Sequence, residues 1–188
     1  MMLKIGIIIG STRPGRNGEA VANWVFEKAK QRNDAEYEIV DIADYNLPLL
    51  DEPMPASLGQ YTKEHTKKWS EKIASLDAFI VITAEYNHAP TGALKNAIDF
   101  LHHEWHNKPV GFVAYGSSLG ARAVEHLRLI FAELQVPGVR AQVGLSVFTD
   151  FNFAKGEFTP QEAIHERNMN AMFEQLHAWG NALKPLRD

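Results

Sequence analysis

The 188-residue chain contains no cysteine. That absence removes disulfide frameworks, thiolate metal sites and cysteine nucleophiles from consideration. No apolar stretch approaches the ~20 residues that a bilayer-spanning helix needs. The apolar N-terminal run is short and leads straight into a glycine-containing loop, so a secretory leader is not expected and a cytoplasmic protein is. An excess of positive charge is also lacking. The formal net charge is −4, which offers no basic face to nucleic acid or to an acidic membrane surface. Two common phosphate-binding patterns are missing as well. G-x-G-x-x-G does not occur, and the pair Gly10 and Gly15, which has P-loop spacing, is followed by Arg16 and Asn17 in place of Lys and Ser/Thr. Without that hydroxyl no magnesium ligand is evident, and triphosphate hydrolysis is not expected. Repeats, low-complexity tracts and linkers are absent too, which makes 1–188 most simply one domain with a substantial core.

What is present is an alternation of apolar strands and amphipathic helices. Strands are expected at 3–9, 37–41, 78–83, 110–115 and within 139–147. Helices are expected from Glu19 to Arg32, around Trp69, Ile73 and Leu76, over Leu94 to Leu101, over Val124 to Leu134, and from a capping box at Thr159-Pro160-Gln161-Glu162 through Trp179. The stretch 46–62, with Pro48, Pro53 and Pro55, reads as a long irregular excursion of the functional kind. Repeated βα units predict an α/β fold: a doubly wound, five-stranded parallel sheet of order 2-1-3-4-5 with helices on both faces. In that order strands one, three and four are neighbours, and the loops leaving them line one cleft beyond their carboxyl ends.

Those three loops carry unusual residues. The first, Gly10-Ser11-Thr12-Arg13-Pro14-Gly15-Arg16-Asn17-Gly18, joins a buried strand to a helix start. Backbone N–H groups there point at an anion, and Ser11, Arg13, Arg16 and Asn17 supply hydroxyl, guanidinium and amide donors suited to a terminal phosphomonoester. The second, Ala84-Glu85-Tyr86-Asn87, offers an aromatic ring and an amide. The third, Gly116-Ser117-Ser118-Leu119-Gly120, offers small residues that suit close contact with a flat ring. A phosphate cage beside a slot for a planar heterocycle describes a site for flavin mononucleotide (FMN).

With these residues the chain resembles the NAD(P)H-dependent FMN reductases, the flavodoxin-like group that includes chromate, azo and quinone reductases. The matching segments are G-S-T-R-P-G-R at 10–16, E-Y-N-H-A-P-T-G-A-L-K-N-A-I-D at 85–99 and Y-G-S-S-L-G-A-R at 115–122. The resemblance implies that Ser11, Arg13, Arg16, Asn17 and Gly18 hold the FMN phosphate. It places Ala84, Glu85, Tyr86, Asn87, Gly116, Ser117, Ser118 and Gly120 against the ring. It also implies NADPH or NADH as electron donor, a small-molecule acceptor such as a quinone or azo compound, no dedicated catalytic acid or base, and a homodimer or homotetramer. This chain departs from many relatives at Ala84, where they carry proline, and at Arg16, where they carry serine.

Other readings compete. Gly116-Ser117-Ser118-Leu119-Gly120 also fits G-x-S-x-G, and Asp150 with His165 or His177 follows in the chain order of an α/β-hydrolase triad, which would make Ser118 the nucleophile of an esterase. A third reading is a non-catalytic FMN-binding electron carrier or interaction module. His102, His103, Glu104 and His106 resemble a metal cluster in composition. They lie near a helix end before Pro109 without the usual catalytic context, and no metal is expected there.

Overall fold

The computed structural model describes residues 2–187. Five strands form one parallel sheet of order β2-β1-β3-β4-β5: β1 (Leu3–Ile9), β2 (Ala35–Asp41), β3 (Ala78–Ala84), β4 (Val110–Gly116) and β5 (Gly138–Ser146). The expected strand order is the observed one. The central strands LKIGIII, AFIVITA and VGFVAYG are continuous apolar runs because both of their faces are covered. The edge strands AEYEIVD and GVRAQVGLS carry charge and mixed burial. Registers such as Ile7↔Ile80 and Val81↔Phe112 keep like residues side by side across the sheet.

Five α-helices cover the sheet: α1 (Gly18–Lys30), α2 (Glu64–Ala74), α3 (Gly92–Asp99), α4 (Ala121–Glu133) and α5 (Glu162–Leu183). One core layer joins Ile5, Ile7 and Val113 to Val21 and Val25 of α1 and to Met172, Phe173 and Leu176 of α5. The other joins Ile8, Val81 and Phe112 to Trp69 and Ile73 of α2, Leu94 of α3, and Leu127 and Phe131 of α4. Trp69 and Trp105 are fully buried in this second layer, and their indole N–H groups reach the carbonyls of Ala97 (2.8 Å) and Ile98 (3.2 Å). Trp179 stays half exposed.

The excursion after β2 contains only two short 3-10 turns, Ile42–Tyr45 and Ala56–Leu58. Side chains tether it. Asn96 of α3 accepts from the Leu50 amide (3.0 Å) and donates to the Pro48 carbonyl (2.6 Å), and Glu52 accepts from the amides of Thr62 and Lys63 (both 2.9 Å).

One local expectation differs from the structure, and two elements are additional to those expected. The Thr159 capping box does not form: Gln161 occupies the N-cap of α5 without a side-chain bond, and Glu162 is the first helical residue. Its carboxylate pairs with Lys28 instead (2.8 Å), while Asp150 accepts the Gln161 amide (2.9 Å) and does the anchoring. A short hairpin, Phe151–Asn152 with Glu157–Phe158, follows β5. Beyond α3 the chain forms a 3-10 turn at His103–Trp105.

Candidate active site at the carboxyl ends of β1, β3 and β4

The loop after β1 is pinned at its start. The Gly10 amide donates to the Ile82 carbonyl (2.8 Å), and the Gly10 carbonyl accepts from the Thr91 hydroxyl. Ser11 is buried, yet its Oγ lies only 3.3 Å from the Tyr86 hydroxyl and 3.4 Å from the Arg13 amide. Asn17 sits at the N-cap of α1 and makes no side-chain cap, so the N–H groups of the first turn have no side-chain acceptor. The two arginines diverge. Arg16 is nearly buried and its guanidinium is claimed by Asp41 and Glu19, while Arg13 is exposed and has no ion-pair partner among the described residues. Beside Thr12 lies a hollow of about 300 Å³, bounded by Asn46 and Leu47 of the excursion and by Asn96 of α3.

The loop after β3 is a tight hairpin. Tyr86 and Ala89 exchange both backbone hydrogen bonds (2.9 and 3.0 Å), and Asn87 and His88 take left-handed conformations at φ 48° and 73°, as a type I′ turn requires. This turn holds Tyr86 upright, with its ring partly exposed and its hydroxyl on Ser11. Glu85 faces the other way. Its side chain is buried, pairs with Arg122 and accepts the Arg122 amide at the start of α4 (3.1 Å). Burial alone would push the Glu85 carboxyl up. The hydrogen bond and charge of Arg122, with the amides of Arg122 and Ala123, outweigh it and hold the group below the usual carboxylate range.

The loop after β4 turns on Leu119 and Gly120, at φ 59° and 67°. Ser117 and Ser118 are exposed on its rim. The three loops are cross-tied, the first to the second through Thr91–Gly10 and Ser11–Tyr86, and the second to the third through Glu85–Arg122.

Comparison with known proteins decides the family. The family described as NADPH-dependent FMN reductase matches residues 3–150. The chain belongs to that family. The NAD(P)H-dependent FMN reductase ntnL of Nectria sp. is 46% identical over 128 residues, covering 65% of this chain and 64% of that protein. The NAD(P)H-dependent FMN reductase LOT6 of Saccharomyces cerevisiae is 32% identical over 181 residues, covering 89% and 93%. Among solved structures, FerB, a flavoenzyme NAD(P)H:(acceptor) oxidoreductase from Paracoccus denitrificans, superposes with a TM-score of 0.73 at 18% identity, covering 96% of this chain and 98% of that one, and so shares the fold. Family membership makes this chain an FMN-dependent NAD(P)H oxidoreductase. No described helix is long and apolar enough to cross a membrane.

The residues present fit the flavin's phosphate. The donor set gathered after β1 is an uncapped helix start, a buried hydroxyl and an unpaired guanidinium, which is the chemistry a phosphate dianion takes. Of the residues singled out from the sequence, Ser11, Arg13, Asn17, Gly18 and Tyr86 meet at one place. Ala84 is buried in the last rung of β3 and forms the floor. Gly116, Ser117, Ser118 and Gly120 form the opposite rim. Arg16 and Glu85 serve the frame of the site through their ion pairs. Sequence reasoning passed over Tyr115. It is the penultimate residue of β4, is 7% exposed, and its hydroxyl reaches the start of α1, 3.6 Å from where a Cβ on Gly18 would stand. Its hydroxyl is pushed up to about 12, chiefly by burial and also by Tyr86, against the opposing charges of Arg13 and Arg16. A lone polar tip at the end of a buried strand was the available signal.

The hydrolase reading does not survive the geometry. Asp150 and His165 are bonded (2.8 Å), but they are buried between β5 and α5. Ser118 has no histidine partner among the described residues, and the strained conformations fall on Leu119 and Gly120 instead of on the serine.

Proposed function

We propose that a single FMN-binding domain over 1–188 holds the FMN phosphate on Ser11, Arg13 and the first-turn amides of Gly18 and its neighbours, with Asn17 and Tyr86 closing the cage. The observation that carries this reading is the uncapped start of α1 facing a buried Ser11 and an unpaired Arg13. Arg16 contributes its backbone and braces the loop against Asp41 and Glu19. Tyr86, Asn87 and the rim of Gly116, Ser117, Ser118 and Gly120 would contact the ring, and Glu85, paired with Arg122, ties those two loops together. When bound, the flavin would supply the redox chemistry linking NADPH or NADH to a small acceptor such as a quinone or azo compound. The chain's own task is to orient the reactants and exclude water around them, so no side chain is assigned as a general acid or base. The exposed Leu49, Leu50, Met54 and Leu58 of the excursion support association into a homodimer or homotetramer, and the protein acts in the cytoplasm.

Replacing Arg13 with Ala tests the assignment. A hydrogen bond to a charged group is worth roughly 1.5–3 kcal/mol, so the FMN dissociation constant, read by flavin fluorescence, should rise roughly 10- to 100-fold. An unchanged constant would remove Arg13 from the phosphate site.

A further inference from the structure

We propose that His102, His103 and His106 form a site for one divalent transition-metal ion of the borderline class, with zinc as the probe, at the amino-terminal edge of the sheet, opposite the flavin cleft. The three side chains can each offer a ring nitrogen within 4.8 Å of the others. Their ring centroids lie 4.7, 5.0 and 5.2 Å apart, and the planes cross at 71–83°, so the rings converge edge-on without stacking. Tetrahedral zinc with Zn–N bonds of about 2.0–2.1 Å separates its ligand nitrogens by roughly 3.3 Å. Small movements of the His102 and His106 rings toward His103, which keeps its bond to Ser57, close that difference.

Two further observations point to a ligand. Nε2 of His106 is buried and has no hydrogen-bond partner. A buried unpaired ring nitrogen costs free energy, and an ion coordinated there would remove the cost. Nε2 of His103 lies 2.8 Å from the Ser57 carbonyl. A carbonyl only accepts, so that nitrogen carries the proton and Nδ1 is left with a free lone pair. Metal-bound histidines are oriented by this kind of outer bond.

The backbone bearing the rings is held from both sides. The Glu104 carboxylate accepts from the Tyr61 hydroxyl (3.0 Å), the Ser70 hydroxyl (2.6 Å) and the His102 amide (3.2 Å), and Trp105 is locked in the core. Glu104 thus adds negative charge beside the cluster while its oxygens stay engaged. The nearby cations are also tied down: Lys108 on the carbonyls of Ile73 and Ala74, and Arg187 on Asp77. Three imidazoles leave a fourth position for water. The ion would staple the 56–58 turn, α2 and the entry to β4, with no part in electron transfer.

The FMN-loaded full chain, stripped with EDTA, is titrated with zinc chloride against a chromogenic chelator. One equivalent should bind with a dissociation constant of about 1 µM or less. At a hundredfold excess over that constant the melting temperature should rise by roughly 5–10 °C. His103→Gln and His106→Gln should each weaken binding at least ~10-fold with flavin content unchanged, while His65→Gln, outside the cluster, should not. Absence of stoichiometric uptake at that affinity, or an affinity unchanged from the parent chain in both cluster variants, overturns the site.

Discussion

A methyl group added at three glycines separates backbone conformation from packing at the loops that frame the cleft. Gly120 sits at φ +67°, and a Cβ there would stand 2.5 Å from the Ala114 Cβ and 2.8 Å from the Tyr115 nitrogen. Gly15 has nearly the same conformation, φ +66°, with nothing within 4 Å. Gly92 opens α3, has no positive φ and also meets nothing within 4 Å. A left-handed conformation costs an L residue roughly 1–2 kcal/mol, so Gly15→Ala should lose about that much. Gly120→Ala adds a clash with the backbone of a central strand, which cannot retreat, at about 1–3 kcal/mol more, for a total of about 2–5 kcal/mol. Gly92→Ala should be neutral or gain up to about 1 kcal/mol by restricting the unfolded chain. The assay is equilibrium urea unfolding of the flavin-free protein, comparing midpoints at constant slope. If Gly120→Ala falls within about 0.5 kcal/mol of Gly15→Ala, the close approach of the third loop to β4 is not as described and the packing argument fails.

Thr91→Val removes the α3 cap on the Leu94 amide (3.2 Å) and leaves the Gly10 carbonyl unpaired in a buried position. The expected loss is about 2–4 kcal/mol by urea unfolding, with Thr91→Ser close to the parent protein. Acid should destabilise the protein through Asp150 and Glu85. Burial would raise the Asp150 carboxyl, but the amides of Gln161 and Ser146 and the His165 ring hold it below its ordinary 3.8, as Arg122 holds Glu85 below 4.5. Their folded values are depressed, so their contribution is complete above pH 4.5 and is lost as pH falls through and below the ordinary values. Asp150→Asn should flatten that acid limb in a pH series of melting temperatures, and an unchanged limb would show that Asp150 does not carry it.

The fold was legible because its central strands are uninterrupted apolar runs. Ile5 to Ile9, Phe79 to Ile82 and Val110 to Ala114 can only sit between two helical layers, and the helices between them repeat at the helical period. The loops of the cleft were legible through glycine and hydroxyl residues at strand ends. Side-chain direction was not. Glu85 and Tyr86 are adjacent, yet one turns to α4 and the other to Ser11, because the type I′ turn at Asn87 and His88 sets their facing. Arg13 and Arg16 look equivalent in sequence, and only the position of Asp41 at the end of β2 decides which one is occupied. The Thr159 capping motif failed for a related reason: Asp150, remote along the chain, offers the Gln161 amide a better acceptor than the local hydroxyl. The convergence of the three histidines depended on a 3-10 turn that helical spacing does not foresee.

The excursion between β2 and α2 contributes no rung to the sheet. Side-chain bonds from Asn96, Glu52 and His103 fasten it, and it borders the hollow beside Thr12. Tyr45, Leu47 and Tyr61 pack it against the core at its two ends. Residues 46 and 47 thereby reach the edge of the first loop while the middle of the excursion lies outside the sheet, so the contour of that hollow is set by a segment the parallel scaffold does not build.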